Sequence, residues 1–185
     1  MSLTITPLTA ERFPDLERLF GKAGAVGGCW CMWWRMTPAE FRETSSREHH
    51  DALASIAASG RPAGLIAYRG GEPVGWVSVS PRSDLERVEL SKRNFRPVDG
   101  QPTWAVSCFY VRRGARRSGV ASALLRAAVQ YAREHGATLV EAYPRDGEAV
   151  SDESAFRGTL TMFEREGFQE VARRHPRSPI VRLEL

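Results

Sequence analysis

The sequence predicts an α/β fold in which a mixed sheet is covered by helices on both faces. Three observations predict it. Extended and helical patterns alternate along the chain in the order β, α, α, β, β, β, α, β, α, β, β, which suits a layered sheet-and-helix domain. Thr103 to Val111 crowds Trp, Val, Cys, Phe, Tyr and Val into one run, the strongest strand signal present. Directly after it, Ser118 to His135 carries Val120, Ala121, Leu124, Leu125, Ala128, Val129 and Ala132 on one helical face, closed by Gly136.

The remaining elements follow in chain order. Leu3 to Pro7 alternates weakly and reads as a first strand. Ala10 to Phe20 places Phe13, Leu16, Leu19 and Phe20 at helical spacing, with Thr9 as N-cap and Gly21 as stop. A glycine-rich aromatic stretch runs from Gly24 to Met36. Thr37-Pro38-Ala39-Glu40 supplies an N-cap, a first-turn proline and an acidic residue, opening a helix expected to continue to about Ser59. Gly64 to Tyr68 and Pro73 to Ser80 flank Arg69-Gly70-Gly71-Glu72 and read as a hairpin. Pro81 to Pro102 is a long polar loop with room for a short helix. Thr138 to Tyr143 forms a further strand and Ser154 to Glu166 a further helix, ended by Gly167. Phe168 to Arg173 and Ile180 to Leu185 close the chain as strands.

At 185 residues the chain fits a single domain, 1–185, able to bury a core without metals or disulfides. Its N-terminus lacks the basic-then-apolar layout of a signal peptide, and no apolar run is long enough to cross a bilayer. The expectation is a soluble, cytoplasmic protein without a membrane partner. Three cysteines, Cys29, Cys31 and Cys108, make a poor disulfide framework and suit a reducing compartment. A zinc site at Cys29 and Cys31 lacks the paired ligand spacing of structural zinc, so no metal is expected. The formal charge of +4 raises nucleic-acid binding, but the excess is local. Arg112, Arg113, Arg116 and Arg117 form one cluster, and Arg173, Arg174, His175 and Arg177 a second. A small polyanion accounts for the first, and no nucleic-acid partner is expected.

The informative segment is Val111-Arg112-Arg113-Gly114-Ala115-Arg116-Arg117-Ser118-Gly119-Val120-Ala121, which leaves the best strand and enters the best helix. Gly119 and Ala121 allow close backbone approach. First-turn N–H groups have no helical partners, the helix dipole adds positive charge, and the arginines attract phosphate. The plainer alternative is a polar loop capped by Ser118. The segment is neither a P-loop nor a dinucleotide fingerprint.

Arg116-Arg117-Ser118-Gly119-Val120-Ala121 resembles the coenzyme-A loop of the GNAT acetyltransferase superfamily, whose signature is Arg or Gln, two residues, Gly, one residue, then Gly or Ala. Met162-Phe163-Glu164-Arg165-Glu166-Gly167-Phe168 resembles that family's turn from last helix to strand. The resemblance implies a mostly antiparallel sheet with splayed middle strands. It implies an N-acetyltransferase that moves acetyl from acetyl-CoA to a primary amine, on a small molecule or peptide, by direct attack in a ternary complex. Arg117, Ser118, Gly119, Val120 and Ala121 would hold the pyrophosphate, with Arg116 beside them. Val111 and Arg113 would pair the pantetheine arm. Phe109 and Tyr110 would face the thioester carbonyl, where a backbone N–H could act as an oxyanion hole. A homodimer is compatible with the family.

Many relatives place a proton-donating tyrosine where this chain has Phe163. The substitutes are Tyr143 and Tyr110 as acids, and Glu141, on the same strand face as Tyr143, as base. A salt bridge would explain Glu141 equally well. Trp30, Trp33 and Trp34 either line the acceptor pocket, cradling a cationic amine, or form a satellite core. Cys29 or Cys31 as a nucleophile is disfavoured, because direct transfer needs no enzyme thiol. Two competing classes remain: a catalytically silent acyl-CoA sensor, kept alive by Phe163, and an arginine-driven nucleic-acid binder.

Overall fold

The computed structural model describes residues 2–147 and 155–185. Strands β1 (Leu3–Pro7), β2 (Gly64–Arg69), β3 (Glu72–Pro81), β4 (Trp104–Val111), β5 (Leu139–Ala142), β6 (Gln169–Arg173) and β7 (Pro179–Glu184) form one sheet in the order β1-β2-β3-β4-β5-β7-β6. Every neighbouring pair is antiparallel except β4 and β5. This is the mixed, mostly antiparallel sheet expected.

Helices cover both faces. Against one lie α1 (Phe13–Phe20), the Trp-rich segment and α3 (Ser46–Ala58), burying Leu16, Phe20, Trp30, Trp34 and Leu53 on Ile66 and Trp76. Against the other lie α5 (Val120–Glu134) and α6 (Leu160–Arg165), burying Leu124, Leu125, Ala128 and Phe163 on Val77, Val106 and Phe109. The apolar stripe read from α5 is the buried one, save that Ala121 stays half-buried.

Two helices are shorter than the sequence pattern implied. The helix expected from Thr37 to Ser59 is broken into α2 (Pro38–Glu43) and α3. Thr44 turns extended after its hydroxyl and N–H have both donated to the Glu40 carbonyl. Ser45 then opens a second capping box with Glu48, a signature overlooked beside the stronger one at Thr37 and Glu40. The last helix is likewise divided: a 3-10 turn at Ala155–Arg157 precedes Gly158, at φ +73°, and Thr159 caps α6. Its expected first residue, Ser154, lies outside the described residues. The long loop does hold a short helix, α4 (Glu86–Glu89), after a 3-10 turn at Arg82–Asp84.

Two irregularities of β4 shape the molecule. It pairs with β5 only through Trp104, Ala105 and Val106, against Val140, Glu141 and Ala142, whereas β3 accompanies it through Val111. Ser107 to Val111 is therefore bonded to a strand on one side only. Ser107 is also an extra residue relative to β3, since Ser78 faces Cys108 while Val79 faces Val106. This bulge shifts the alternation, so Cys108 and Tyr110 join Ala105 on the α1 face while Phe109 joins Val106 on the α5 face.

Gly75 of β3 lets α5 sit close. A Cβ there would lie 2.8 Å from Val120 Cγ1 and 3.0 Å from Leu124 Cδ1. Gly75→Val should cost about 1–3 kcal/mol through overpacking, read as a lowered thermal midpoint. Because the displaced turn is the start of α5, ligand affinity at that helix end should fall with it.

Candidate active site

The loop after β4 is built to expose backbone. A 3-10 turn at Arg113–Ala115 drops Ala115 into the core, and Ser118 Oγ donates back to the Ala115 carbonyl at 2.7 Å. Arg117 at φ +57° and Gly119 at φ +79° both take left-handed backbone immediately before α5. For a non-glycine residue this conformation costs roughly 1–2 kcal/mol, so packing around the loop must hold Arg117 there. A Cβ on Gly119 would meet nothing within 4 Å, so the glycine marks open space beside the helix start. The result is a cleft of about 340 Å³ with the first turn of α5 along one wall.

Of the residues assigned to the donor, Phe109, Tyr110, Val111, Arg116, Arg117, Gly119, Val120 and Ala121 line this cleft. Arg113 and Ser118 do not. Arg113 opens the 3-10 turn, and Ser118 is occupied with the Ala115 carbonyl and with Arg69, whose Nη2 donates to it at 3.1 Å. Arg116 Nε donates to the Val111 carbonyl at 3.1 Å. Since the Arg112 N–H bonds Val74 of β3, strand alternation turns the backbone groups of Phe109 and Val111 toward the open side of β4.

A second cavity, of about 320 Å³, adjoins the first across Val26, Phe109, Tyr110 and Phe156. Its walls are apolar: Trp33, Trp34 and Phe41, with Cys29, Cys31 and Cys108. Trp33 and Trp34 thus face it, whereas Trp30 does not. Trp30 is buried against Phe13, Phe20 and His50, and fills the space beside Gly24, whose Cβ would collide with its ring. The three rings are thus divided, Trp30 packing into the core and Trp33 and Trp34 lining the cavity. The cation cradle fares less well, because arginines already lie over these rings. Arg87 sits 4.0 Å from the Trp33 centroid, and Arg157 lies 5.8 Å from Trp34 and 5.0 Å from Phe95. Arg157 is buried, with its guanidinium donating to the carbonyls of Tyr143 and Pro144 and to Ser178. Burial lowers its pKa to about 10.

The three acid–base candidates separate sharply. Tyr110 lines both cavities. Glu141 and Tyr143 line neither, and are 0% and 1% exposed. The Tyr143 hydroxyl donates to Glu141 at 2.7 Å, and Arg182 Nε donates to the same carboxylate at 2.7 Å. Arg82 lies 3.6 Å away. Arg182 also grips Asp99 at 2.6 and 3.0 Å, which holds that carboxyl down at about 2. Burial, then the Glu141 charge, pushes the Tyr143 hydroxyl well above its ordinary range. Glu141 and Tyr143, read from the sequence as base and acid, thus lie away from both cavities in a buried anchor that ties the loop carrying Asp99 to β5 and β7. Phe163 is a core ring, edge-on to Phe109 and Phe168.

A cleft at a helix start, beside the open side of a splayed strand, meets a family match at the same place. Residues 30–151, more than half of the chain, match the acetyltransferase (GNAT) family. The chain belongs to this family. As a GNAT member it is an acyltransferase. No curated protein matches it. Solved structures with the same fold include the PaiA N-acetyltransferase of Thermoplasma acidophilum in complex with coenzyme A, 13% identical, TM-score 0.59, covering 100% of both chains. The ribosomal-protein-alanine N-acetyltransferase of Brucella melitensis is 20% identical, TM-score 0.58, covering 98% of this chain and 99% of that one. The yncA protein of Salmonella typhimurium with acetyl-CoA is 17% identical, TM-score 0.59, covering 100% and 95%.

Sequence reading overlooked Val26, Phe41, Cys108, Phe156, Gly158 and Met162, which line the two cavities. Cys108 depends on the bulge, which leaves no sequence signal. Phe156 and Gly158 had one, a glycine inside a helical pattern. Among the described residues, no group of three or more His, Cys, Asp or Glu side chains could hold a metal ion, and no helix is long and apolar enough to cross a membrane.

Removing the buried carboxylate alone leaves Arg182 and Arg82 facing a neutral group. Glu141→Gln should destabilise the fold by about 3–5 kcal/mol in a denaturant titration. Tyr143→Phe removes one hydrogen bond to a charged acceptor, worth about 1.5–3 kcal/mol. It should leave acyl transfer per folded molecule unchanged, and a pH–rate profile that moved with it would restore Tyr143 to the chemistry.

Proposed function

We propose that this acyltransferase moves the acetyl group of acetyl-CoA to a primary amine by direct attack in a ternary complex. The observation that carries the reading is the junction of the two cavities at Phe109 and Tyr110, beside the unpaired side of β4. One cavity offers an anion-binding helix start with Arg116 and Arg117, and suits the pyrophosphate of the donor. The open backbone of Phe109 and Val111 suits an extended amide chain added to the strand, as pantetheine is. The other cavity then brings an acceptor to the same point, where proximity replaces a bimolecular encounter.

The chemistry asks for three things of the chain. An alkyl amine, with a pKa of about 10.4 when unperturbed, must be free of its proton before attack, and an apolar cavity favours the neutral form. Negative charge developing on the carbonyl oxygen needs a fixed donor, which a backbone N–H on the open side of β4 can supply. The departing thiolate needs a proton. Of the three acid–base candidates only Tyr110 reaches the cavities, and it takes the role of donor. The aromatic walls, backed by Arg87 and Arg157, favour an amine carried on an apolar, uncharged body over a polycation.

Titration calorimetry with acetyl-CoA should show micromolar binding that is lost in Gly119→Trp, whose side chain enters the open space beside the helix start. Retained binding in that variant would move the donor elsewhere, and no binding by the unaltered chain would remove the donor assignment. Release of free coenzyme A in the presence of amines, absent without them, distinguishes transfer from silent binding.

Tyr110→Phe should lower kcat by roughly 10²-fold, the usual scale for losing a positioned acid, with the KM for acetyl-CoA little changed. An unchanged kcat would leave water as the proton source.

A further inference from the structure

Two backbone distortions, far apart in the chain, converge on one pair of sulfurs. Cys31 stands at φ +57°, directly after Trp30 at φ +43°, so two successive non-glycine residues are held in left-handed backbone. Cys108 reaches the same side of the sheet only because the Ser107 bulge shifts the phase of β4. Their Sγ atoms share a contact of 3.5 Å, and the Trp76 indole N–H donates to Cys31 Sγ at 3.1 Å. Both residues line the apolar cavity together with Cys29, so a small molecule that enters it meets the pair.

The three thiols are not equivalent. Burial pushes Cys29 up to about 11, and the Cys31 contact together with burial pushes Cys108 well above its ordinary value. Cys31 is held down, chiefly by the Cys108 S–H and also by the Trp76 N–H and the nearby Arg35 charge. Within the pair Cys31 therefore gives up its proton more readily than Cys108, the order that thiol oxidation followed by resolution uses.

We propose that Cys31 and Cys108 form a reversible oxidation site, closed to a disulfide by a hydroperoxide, which shuts the apolar cavity. The Cys31 thiolate attacks one peroxide oxygen and breaks the O–O bond, giving Cys31 sulfenic acid and, with hydrogen peroxide, hydroxide. The Cys108 sulfur then attacks the Cys31 sulfur; the S–S bond forms as the S–O bond breaks, and the Cys108 proton leaves in water. In sum, two thiols and one hydrogen peroxide give one disulfide and two waters, the sulfurs losing the two electrons that the peroxide gains. A disulfide of about 2.05 Å requires the sulfurs to approach by about 1.5 Å. Trp33 and Trp34 follow Cys31 within three residues and Phe109 follows Cys108 directly, so this approach draws together two segments that line the cavity. A dithiol reductant reopens it. The consequence for acyl transfer rests on the acceptor reading above; the oxidation itself does not.

The full chain is treated with a small excess of hydrogen peroxide and analysed by intact mass and disulfide mapping, with maleimide labelling of Cys29 as a measure of access to the cavity. The expected result is loss of two hydrogens, one titratable thiol left of three, a Cys31–Cys108 cross-link, and slower Cys29 labelling that dithiothreitol restores. The cross-link should persist in Cys29→Ser and vanish in Cys108→Ser. Oxygen added to a cysteine with Cys31 and Cys108 both still alkylatable overturns the proposal, as does a cross-link that leaves Cys29 labelling unchanged. Absence of amine turnover in the reduced protein would count against the transferase reading alone, since neither readout depends on it.

Discussion

Between β4 and β5 only three residue pairs are joined, and the rest of the molecule is arranged around that short seam. Past Val106 the two strands part, and β4 continues with β3 alone. The polar backbone of Ser107 to Val111 would be costly to bury unpaired, so its open side must meet solvent, a side chain or a ligand. Arg116 answers for the Val111 carbonyl. The bulge at Ser107 lies at the point where the strands part, and it sends Cys108 and Tyr110 to one cavity wall and Phe109 to the opposite core. Two cavities meet at the same two residues beside this one irregularity.

Holding strands apart needs a counterweight, which the buried charges near Glu141 supply. Glu141, Arg182, Asp99, Arg82 and Glu89 link β5, β7 and the loop after β3 into one body. Such a cluster adds little net stability over apolar packing, because Glu141, Arg82 and Arg182 are desolvated to join it. Its geometry is directional, though, and it holds β5, β7 and the loop carrying Asp99 in one arrangement beside the seam. On the far side Arg157, bound to the last carbonyls beyond β5, holds Phe156 at the boundary between the cavities.

What the sequence made legible was whatever depends on local pattern. β4 and α5 were placed from composition and periodicity, and the loop between them from its glycine and arginines. The later start of α5, at Val120 where Ser118 was expected, reflects Gly119 serving as its N-cap. The helix break at Thr44 and Ser45 went unseen because Arg42 to Asp51 is wholly polar and carries no apolar periodicity to show where one helix stops, while the second capping box lies inside that run. The fates of Glu141 and Tyr143 were illegible for another reason. Their partners Arg182 and Arg82 are remote in sequence, and strand alternation tells which residues share a face but not which face is dry. The family resemblance supplied the splay, which no periodicity encodes.

The free side of β4 also bears on how the protein avoids its own kind. A sheet with unpaired backbone invites another strand to dock and propagate. At one outer edge, β6 is short and charged, with Glu170 and Arg173 along it. The interior edge at Ser107 to Val111 has no such charges among its side chains and is guarded instead by enclosure, set between Val26, Phe156 and the start of α5. Any strand that paired there would first have to enter the cleft between these groups. The free backbone is thereby screened from other copies by its position inside the molecule, where β6 relies on charge.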